Sequence, residues 1–293
     1  MLAVKFGNFM IRNKGMFEHA AAIGPASRFL KRVNPLALDD LRFGTHFAAS
    51  YALTSEKNSP EFKRVMRRLE SYLGAGPFGP KKYWEYPWAL ANLKLEKGMS
   101  ALDAGCGRSP VQFLLSDLGI KMTGVDLFED VEWHGIDRKL SKRLGADIDY
   151  HKASLESLPF SDNTFDRVAC LSVLEHCRRV PAKDEKLAPQ TAEDKALQKK
   201  IVSELVRVIK PGGLVAITVD LNIPRSDCLQ ESNIDVKNIM EIPGLELAGQ
   251  RQDEPVPFEA GFGAGRIIHN GNIYIENYLD TLQTSIGIVL KKK

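Results

Sequence analysis

From residue 99 onward, short apolar runs alternate with amphipathic stretches, the pattern of βα units wound around a parallel sheet. The runs predict strands at Ser100–Ala104, Lys121–Val125, Ile148–His151, Arg167–Leu171 and Leu214–Val219. Between the last two, Leu197, Ile201, Leu205 and Val208 recur at spacings of four, four and three, which puts an apolar stripe on one face of a helix. Lys210-Pro211-Gly212-Gly213 stops that helix and turns the chain into the next strand. Thr284–Leu290 reads as a last strand, with Leu245–Ala248 as its partner. Cys177–Glu193 is charged and holds Pro181 and Pro189, which predicts an exposed insertion; Gly261–Gly271 predicts a Gly-rich loop. Before residue 99 the pattern differs: Pro60–Leu73 is helical and basic, Gly74–Pro80 is a Gly/Pro break, and Tyr83–Leu93 is rich in aromatics. The change divides the chain into a basic, partly helical N-terminal extension, residues 1–82, and a main α/β domain, residues 83–293.

Composition narrows the class without changing this picture. The 293 residues suit one α/β domain with an appendage, and 44% hydrophobic with 26% charged residues is ordinary for a soluble globular protein. No apolar run approaches the roughly 20 residues of a membrane span, and Met1–Lys14 lacks the apolar stretch of a signal peptide. A cytoplasmic location is expected. Cys106, Cys170, Cys177 and Cys228 have no C-x-x-C spacing, which fits a reducing compartment, and no His/Cys cluster has zinc-ligand spacing, so no metal is expected. The net charge of +3 hides an asymmetry: residues 1–100 hold 16 Lys/Arg against 8 Asp/Glu, and the remainder 24 against 29. Lys63, Arg64, Arg67, Arg68, Lys81 and Lys82 therefore read either as a solvated helix face or as a face for an anionic partner. With no aromatic-interleaved RNA signature or zinc finger, a nucleic-acid partner is not the expectation.

The chemistry concentrates in Ala101-Leu-Asp-Ala-Gly-Cys-Gly-Arg-Ser-Pro110. A strand ends in Asp103, and Gly105 and Gly107 permit a tight turn with close backbone approach to a ligand. Ser109, Pro110 and Gln112 suit the N-cap, first helical position and capping box of the following helix. A nicotinamide or flavin site would want G-x-G-x-x-G, but Pro110 takes the third glycine's place, and Asp103 offers an acceptor for an ammonium group. Those differences favour an amino-acid-bearing nucleoside over a pyrophosphate. Thr123-Gly-Val-Asp126 ends the next strand 21 residues after Gly105, where a carboxylate can accept both ribose hydroxyls.

Together these residues resemble the class I S-adenosylmethionine-dependent methyltransferases over about 120 residues. Ala104-Gly105-Cys106-Gly107 is similar to that family's first motif, and Gly124-Val125-Asp126 to its acidic strand end. Leu158-Pro159-Phe160-Ser161-Asp162-Asn163-Thr164-Phe165-Asp166 and Leu174-Glu175-His176 resemble the approach to and exit from its fourth strand. Val208-Ile209-Lys210-Pro211-Gly212-Gly213 resembles the turn into its fifth. The resemblance implies a doubly wound, mostly parallel seven-stranded sheet with a reversed final strand. It implies S-adenosyl-L-methionine as cofactor, with the methionine moiety near Asp103, Gly105, Cys106 and Gly107, ribose on Asp126, and Leu127, Ser154, Leu155 and Leu171 around the base and strand end. Where the family commonly has an acid contacting adenine, this chain has Ala153-Ser154-Leu155, and a Ser hydrogen bond is weaker than a carboxylate's.

Methyl transfer from a sulfonium needs chiefly alignment of nucleophile, methyl and sulfur, and needs a base only for a poorly acidic hydroxyl. His176 is the candidate base, with a strand-end cap or cofactor contact as the competing reading; Glu175 is expected to be structural or a cofactor contact. Asp220, Asn222 and Arg225 follow the fifth strand and can orient an acceptor or serve only the loop. Tyr83, Trp84, Glu85 and Trp88 either cover the cofactor or pack. The expected acceptor is a small molecule, an oxygen nucleophile on a sugar, lipid-linked or other metabolite that carries an anionic group. A non-catalytic scaffold and a nucleic-acid methyltransferase are the alternatives.

Overall fold

The computed structural model of the chain describes residues 35–44, 47–73, 79–128, 141, 145–178, 190–223, 234–250, 273–278 and 281–293. Residues 179–189 of the expected insertion, the Gly-rich loop at 261–271 and Arg225 lie outside them, as does most of the break at 74–80. The strands are β1 (Ala49–Tyr51), β2 (Ser100–Ala104), β3 (Lys121–Asp126), β4 (Ile148–Lys152), β5 (Phe165–Leu171), β6 (Ile209–Ile223), β7 (Leu245–Leu247), β8 (Glu276–Tyr278) and β9 (Thr281–Lys292). The helices are α1 (Thr54–Lys57), α2 (Pro60–Leu73), α3 (Lys82–Asn92), α4 (Val111–Asp117), α5 (Ala192–Val208) and α6 (Val236–Met240).

Nine strands among the described residues form one sheet: seven follow one another in the order β1-β9-β6-β5-β2-β3-β4, and β7 and β8 pair with β9, two more than the seven expected. Strands β4, β3, β2, β5 and β6 run parallel, and β9 is antiparallel to β6. The reversal between β2 and β5 is a topological switch point, and the carboxyl edge there is where such sheets bind ligands. The outer edge of β9 is covered in relay: β7 pairs with residues 290–292, β1 with 286–288 and β8 with 281–283. One sheet edge is thus assembled from sequence positions more than 200 residues apart, including a strand from before residue 83.

Each sheet face carries its own core, as expected when helices cover both sides. On one face, Leu197, Ile201, Leu205 and Val208 of α5 pack with Val168, Ile217, Val219 and Ile288. Burying each such side chain contributes about 2 kcal/mol. Thr191 caps α5, its hydroxyl accepting from the Asp194 N–H at 3.1 Å while the Asp194 carboxylate accepts from the Thr191 N–H at 3.0 Å. On the other face, Val65, Leu69, Trp84, Trp88, Phe113 and Leu114 bring α2, α3 and α4 together. The Lys210–Gly213 segment departs from the expected turn. It is drawn into β6 as an irregularity, because the register steps from Phe165 opposite Ile209 to Arg167 opposite Leu214.

Candidate functional site at the carboxyl edge of β2, β3 and β5

The glycine turn is built by hydrogen bonds from β2 to β3. The Gly105 and Cys106 N–H groups donate to the Val125 carbonyl at 2.8 and 3.0 Å, and the Gly107 N–H donates to Asp126 Oδ2 at 2.9 Å. Asp126 Oδ1 accepts from the Phe128 N–H at 2.9 Å, so one carboxylate oxygen is tied to the turn and the other to the loop after β3, and both keep lone pairs for a ligand. Gly105 has φ 75°, and a Cβ there would stand 2.5 Å from Val173 Cγ2. No other residue type fits both constraints. Glycine is equally required at Gly124, where a Cβ would meet the Tyr150 ring at 2.9 Å and Cys106 Sγ at 3.0 Å.

The expected capping box on α4 does not form. Pro110 occupies the N-cap with helical backbone angles, and the Ser109 hydroxyl accepts only a 3.3 Å bond from the Val111 N–H. Gln112 is turned inward instead: its Nε2 donates to the Cys106 carbonyl at 3.0 Å and its Oε1 accepts from the Tyr150 hydroxyl at 2.7 Å. Satisfying a buried carbonyl from beneath is worth more than a surface cap, because an unpaired buried polar group costs its full desolvation. Gln112 and Tyr150 therefore brace the turn. Periodicity alone gives no signal for such a role.

Two carboxyls stand out at this edge. Asp103 is 2% exposed and its Oδ2 has no hydrogen-bond partner; burial first, and then the charge of Asp126, push it up to about 7. Glu175 is also buried. Its Oε1 accepts from the Asp220 N–H at 2.9 Å, its Oε2 has no partner, and burial and then Asp220 push it up to about 8. His176, one residue on in the same short 3-10 turn, is exposed. Leu127 is 47% exposed beside Asp126, Leu171 is partly buried at the end of β5, and Leu155 is buried. The Ser154 hydroxyl accepts from the Glu156 N–H at 3.2 Å, and the Ala153 N–H donates to the Asp126 carbonyl at 3.1 Å. The second strand end and the 153–155 segment therefore lie side by side. The Cys106 thiol is buried and pushed up, first by that burial.

Helix α3 and its neighbours correct one expectation and agree with the packing reading of another. The basic residues of the first third do not form one solvent-facing stripe. Lys81 is 7% exposed and meets Asp220 at 2.7 Å, Glu276 at 3.2 Å and Gln283 Oε1 at 2.7 Å. Lys82 Nζ donates to Glu85 Oε2 at 2.6 Å and to the Ser172 hydroxyl, which itself donates to Glu85 Oε2 at 2.6 Å; the Ser285 hydroxyl donates to Glu85 Oε1 at 2.7 Å. Burial would lower the Lys82 ammonium, but Glu85, Tyr86 and Asp220 together outweigh it and hold the group above its ordinary value. Arg68 is buried against Asp117 at 2.9 Å, and Arg64 pairs with Asp40 at 2.7 Å, leaving Lys63 and Arg67 exposed without an ion pair among the described residues. The aromatics pack: the Trp84 and Trp88 rings stack at 5.2 Å, both fully buried, and Trp84 Nε1 donates to Glu56 at 2.7 Å. Tyr86, which the pattern did not single out, reaches Ser109 and senses the charge of Asp103. Ser172 was also missed; it links α3 to the site.

Residues 102–217 match the family model described as a methyltransferase domain. The chain is similar to sterol methyltransferase-like 3 of Botryococcus braunii, 24% identical over 67% of this chain and 49% of that protein. It is similar to the tRNA (carboxymethyluridine(34)-5-O)-methyltransferase of Arabidopsis thaliana, 28% identical over 59% of this chain and 37% of that one. It is also similar to a ubiquinone biosynthesis O-methyltransferase of Methylocella silvestris, 35% identical over 27% of this chain and 30% of that one. The matches thus span less than half the length of each of these relatives. No helix among the described residues is long and apolar enough to cross a membrane, and no group of three or more metal-ligating side chains occurs among them. A reversed strand at the edge of a parallel sheet, a glycine turn tied to an acidic strand end, and the matched residues agree: residues 102–217 of the chain are similar to the methyltransferase domain family.

Proposed function

We propose that the chain transfers the methyl group of S-adenosylmethionine to a small-molecule acceptor at an oxygen nucleophile. The observation that carries this reading is the joint grip of the glycine turn and Asp126, with the unpartnered Asp103 Oδ2 at its floor. The residues present fit the cofactor. Asp103 offers its free oxygen to the α-ammonium, Gly105, Cys106 and Gly107 admit the methionine chain, and Asp126 takes the ribose hydroxyls with its remaining lone pairs. Leu127 and Leu155 flank the adenine, Ser154 serves its exocyclic amine, and Leu171 closes the strand end. When bound, the cofactor supplies a methyl group on a good leaving group. The protein's share is alignment and exclusion of water.

For a hydroxyl acceptor, His176 at the exposed rim takes the proton, as an imidazole can near neutral pH. An anionic group on the acceptor would meet Lys82, whose third N–H has no acceptor among the described residues. Relatives whose names specify O-methylation support an oxygen nucleophile. Against a nucleic-acid substrate stands the pairing of Arg64 and Arg68 with carboxylates, which removes much of the phosphate-binding charge such a reading needs. The test is incubation of the purified chain with methyl-labelled cofactor and a small-molecule extract, followed by identification of the labelled product. The reading predicts label in a hydroxyl-bearing metabolite and none in RNA. It fails if the cofactor shows no binding at millimolar concentration.

A further inference from the structure

Glu175 lies in the short turn beside the glycine turn that takes the cofactor in the reading above. It lies two residues after Val173, whose side chain presses on Gly105, so its turn packs directly against the glycine turn. Its surroundings are complete on one side and open on the other. The Asp220 N–H fixes Oε1, while Oε2 is buried with no partner. The groups facing it are Asp220 from β6, Lys82 from α3, and the Cys170 and Cys177 thiols from β5 and its exit. Each nearby cation is paired with another carboxylate, and Lys82 offsets the charge of Glu175 only in part. Lys82 is bound to Glu85 and Ser172, and Lys81 to Asp220 and Glu276. A buried carboxyl without a counter-charge holds its proton, and an unsatisfied buried oxygen of this kind calls for a specific explanation.

We propose that Glu175 is a charge sensor for the methylated cofactor: a neutral acid in the ligand-free site that gives up its proton when the sulfonium arrives and takes one back once the uncharged thioether remains. The inference rests on the cofactor reading above. Its proton balance is simple. Binding of the sulfonium form releases one proton from Glu175 to solvent, and methyl transfer removes the positive charge that kept the carboxylate ionised. Reprotonation then leaves the product, S-adenosylhomocysteine, without an ionic partner at this position. Burial and the adjacent Asp220, which together push Glu175 up to about 8, supply the resting state the device requires.

S-adenosylmethionine and S-adenosylhomocysteine share the amino-acid end, ribose and base, so the contribution of Asp103 is common to both and cancels in their difference. Titration calorimetry of the full chain at pH 7, run in buffers of differing ionisation enthalpy, counts the protons released by each ligand. The sensor predicts that S-adenosylmethionine releases up to about 0.9 proton more than S-adenosylhomocysteine, because a carboxyl near 8 is about nine-tenths protonated at pH 7. It also predicts that the affinity ratio of the two rises with pH, by up to about tenfold per unit, and levels off above about 8. In Glu175→Gln, which keeps an oxygen for the Asp220 N–H, the difference in proton count disappears. Equal proton counts for the two ligands in the unaltered chain overturn the sensor and leave the cofactor reading standing. Binding of neither ligand overturns both.

Discussion

The glycine turn and the α3 network meet at one sheet edge but are made in opposite ways. The turn joins residues within about 25 positions of one another, and its bonds run largely from backbone to backbone or to Asp126. The network ties Lys81, Lys82 and Glu85 to Ser172, Asp220, Glu276 and Ser285, side chains up to about 200 positions away. A ligand grip that depends on local geometry tolerates change around it. A buried ionic network depends on every member, because removing one leaves the others charged and unpaired.

The largest effect expected to expose this difference is Lys81→Met. Asp220 and Glu276 would lose their shared counter-ion in a nearly dry setting, and the chain should lose about 3 kcal/mol in a denaturant titration. A loss below about 1 kcal/mol would show that the network is loosely solvated and that the contrast is overstated. Next is Asp126→Ala, which removes an acceptor for two backbone N–H groups and for the ribose. Cofactor affinity should fall on the order of 100-fold by calorimetry, equivalent to about 2.7 kcal/mol. An affinity within twofold of the unaltered chain would separate Asp126 from the ligand.

A smaller effect is the pH dependence of the ligand-free protein. Asp103 is raised from 3.8 to about 7 and Glu175 from 4.5 to about 8. The folded chain therefore keeps protons that the unfolded chain has released between about pH 4 and 8, and stability from these groups falls as pH rises through that window. Asp103→Asn should flatten the lower part of the curve in thermal melts across this range. An unchanged slope would assign the dependence elsewhere. Smallest is Arg64→Ala: its partner Asp40 and its own side chain are both accessible to water, so the cost should stay under about 1 kcal/mol.

The same contrast explains what could be read from the chain in advance. The β2 and β5 strands, the stripe on α5 and the existence of β9 were legible because each follows from a period of two or of 3.6 within one stretch, whereas the reversal of β9 came only from the family resemblance. The relation of Gly105, Gly107 and Asp126 was legible because adjacent parallel strands bring a turn and the next strand end together. The covering of β9 by β1, β7 and β8 was only partly so: short edge pieces far apart in sequence carry no shared pattern. Lys81 and Lys82 were misread as a surface charge, since sequence shows a cation without showing the carboxylates that fold onto it. Gln112 was read as a cap, because its inward bond to Cys106 depends on Tyr150 arriving from β4.

In the proposed function, the glycine turn and Asp126 hold one ligand between them. A crystal structure of the chain with S-adenosylhomocysteine tests this most directly. It should place the ribose hydroxyls within hydrogen-bond distance of the Asp126 carboxylate and the α-ammonium on Asp103 Oδ2, with the homocysteine chain against Gly105 and Gly107. A ribose bound away from Asp126, or a ligand outside the cleft between β2 and β5, would contradict it.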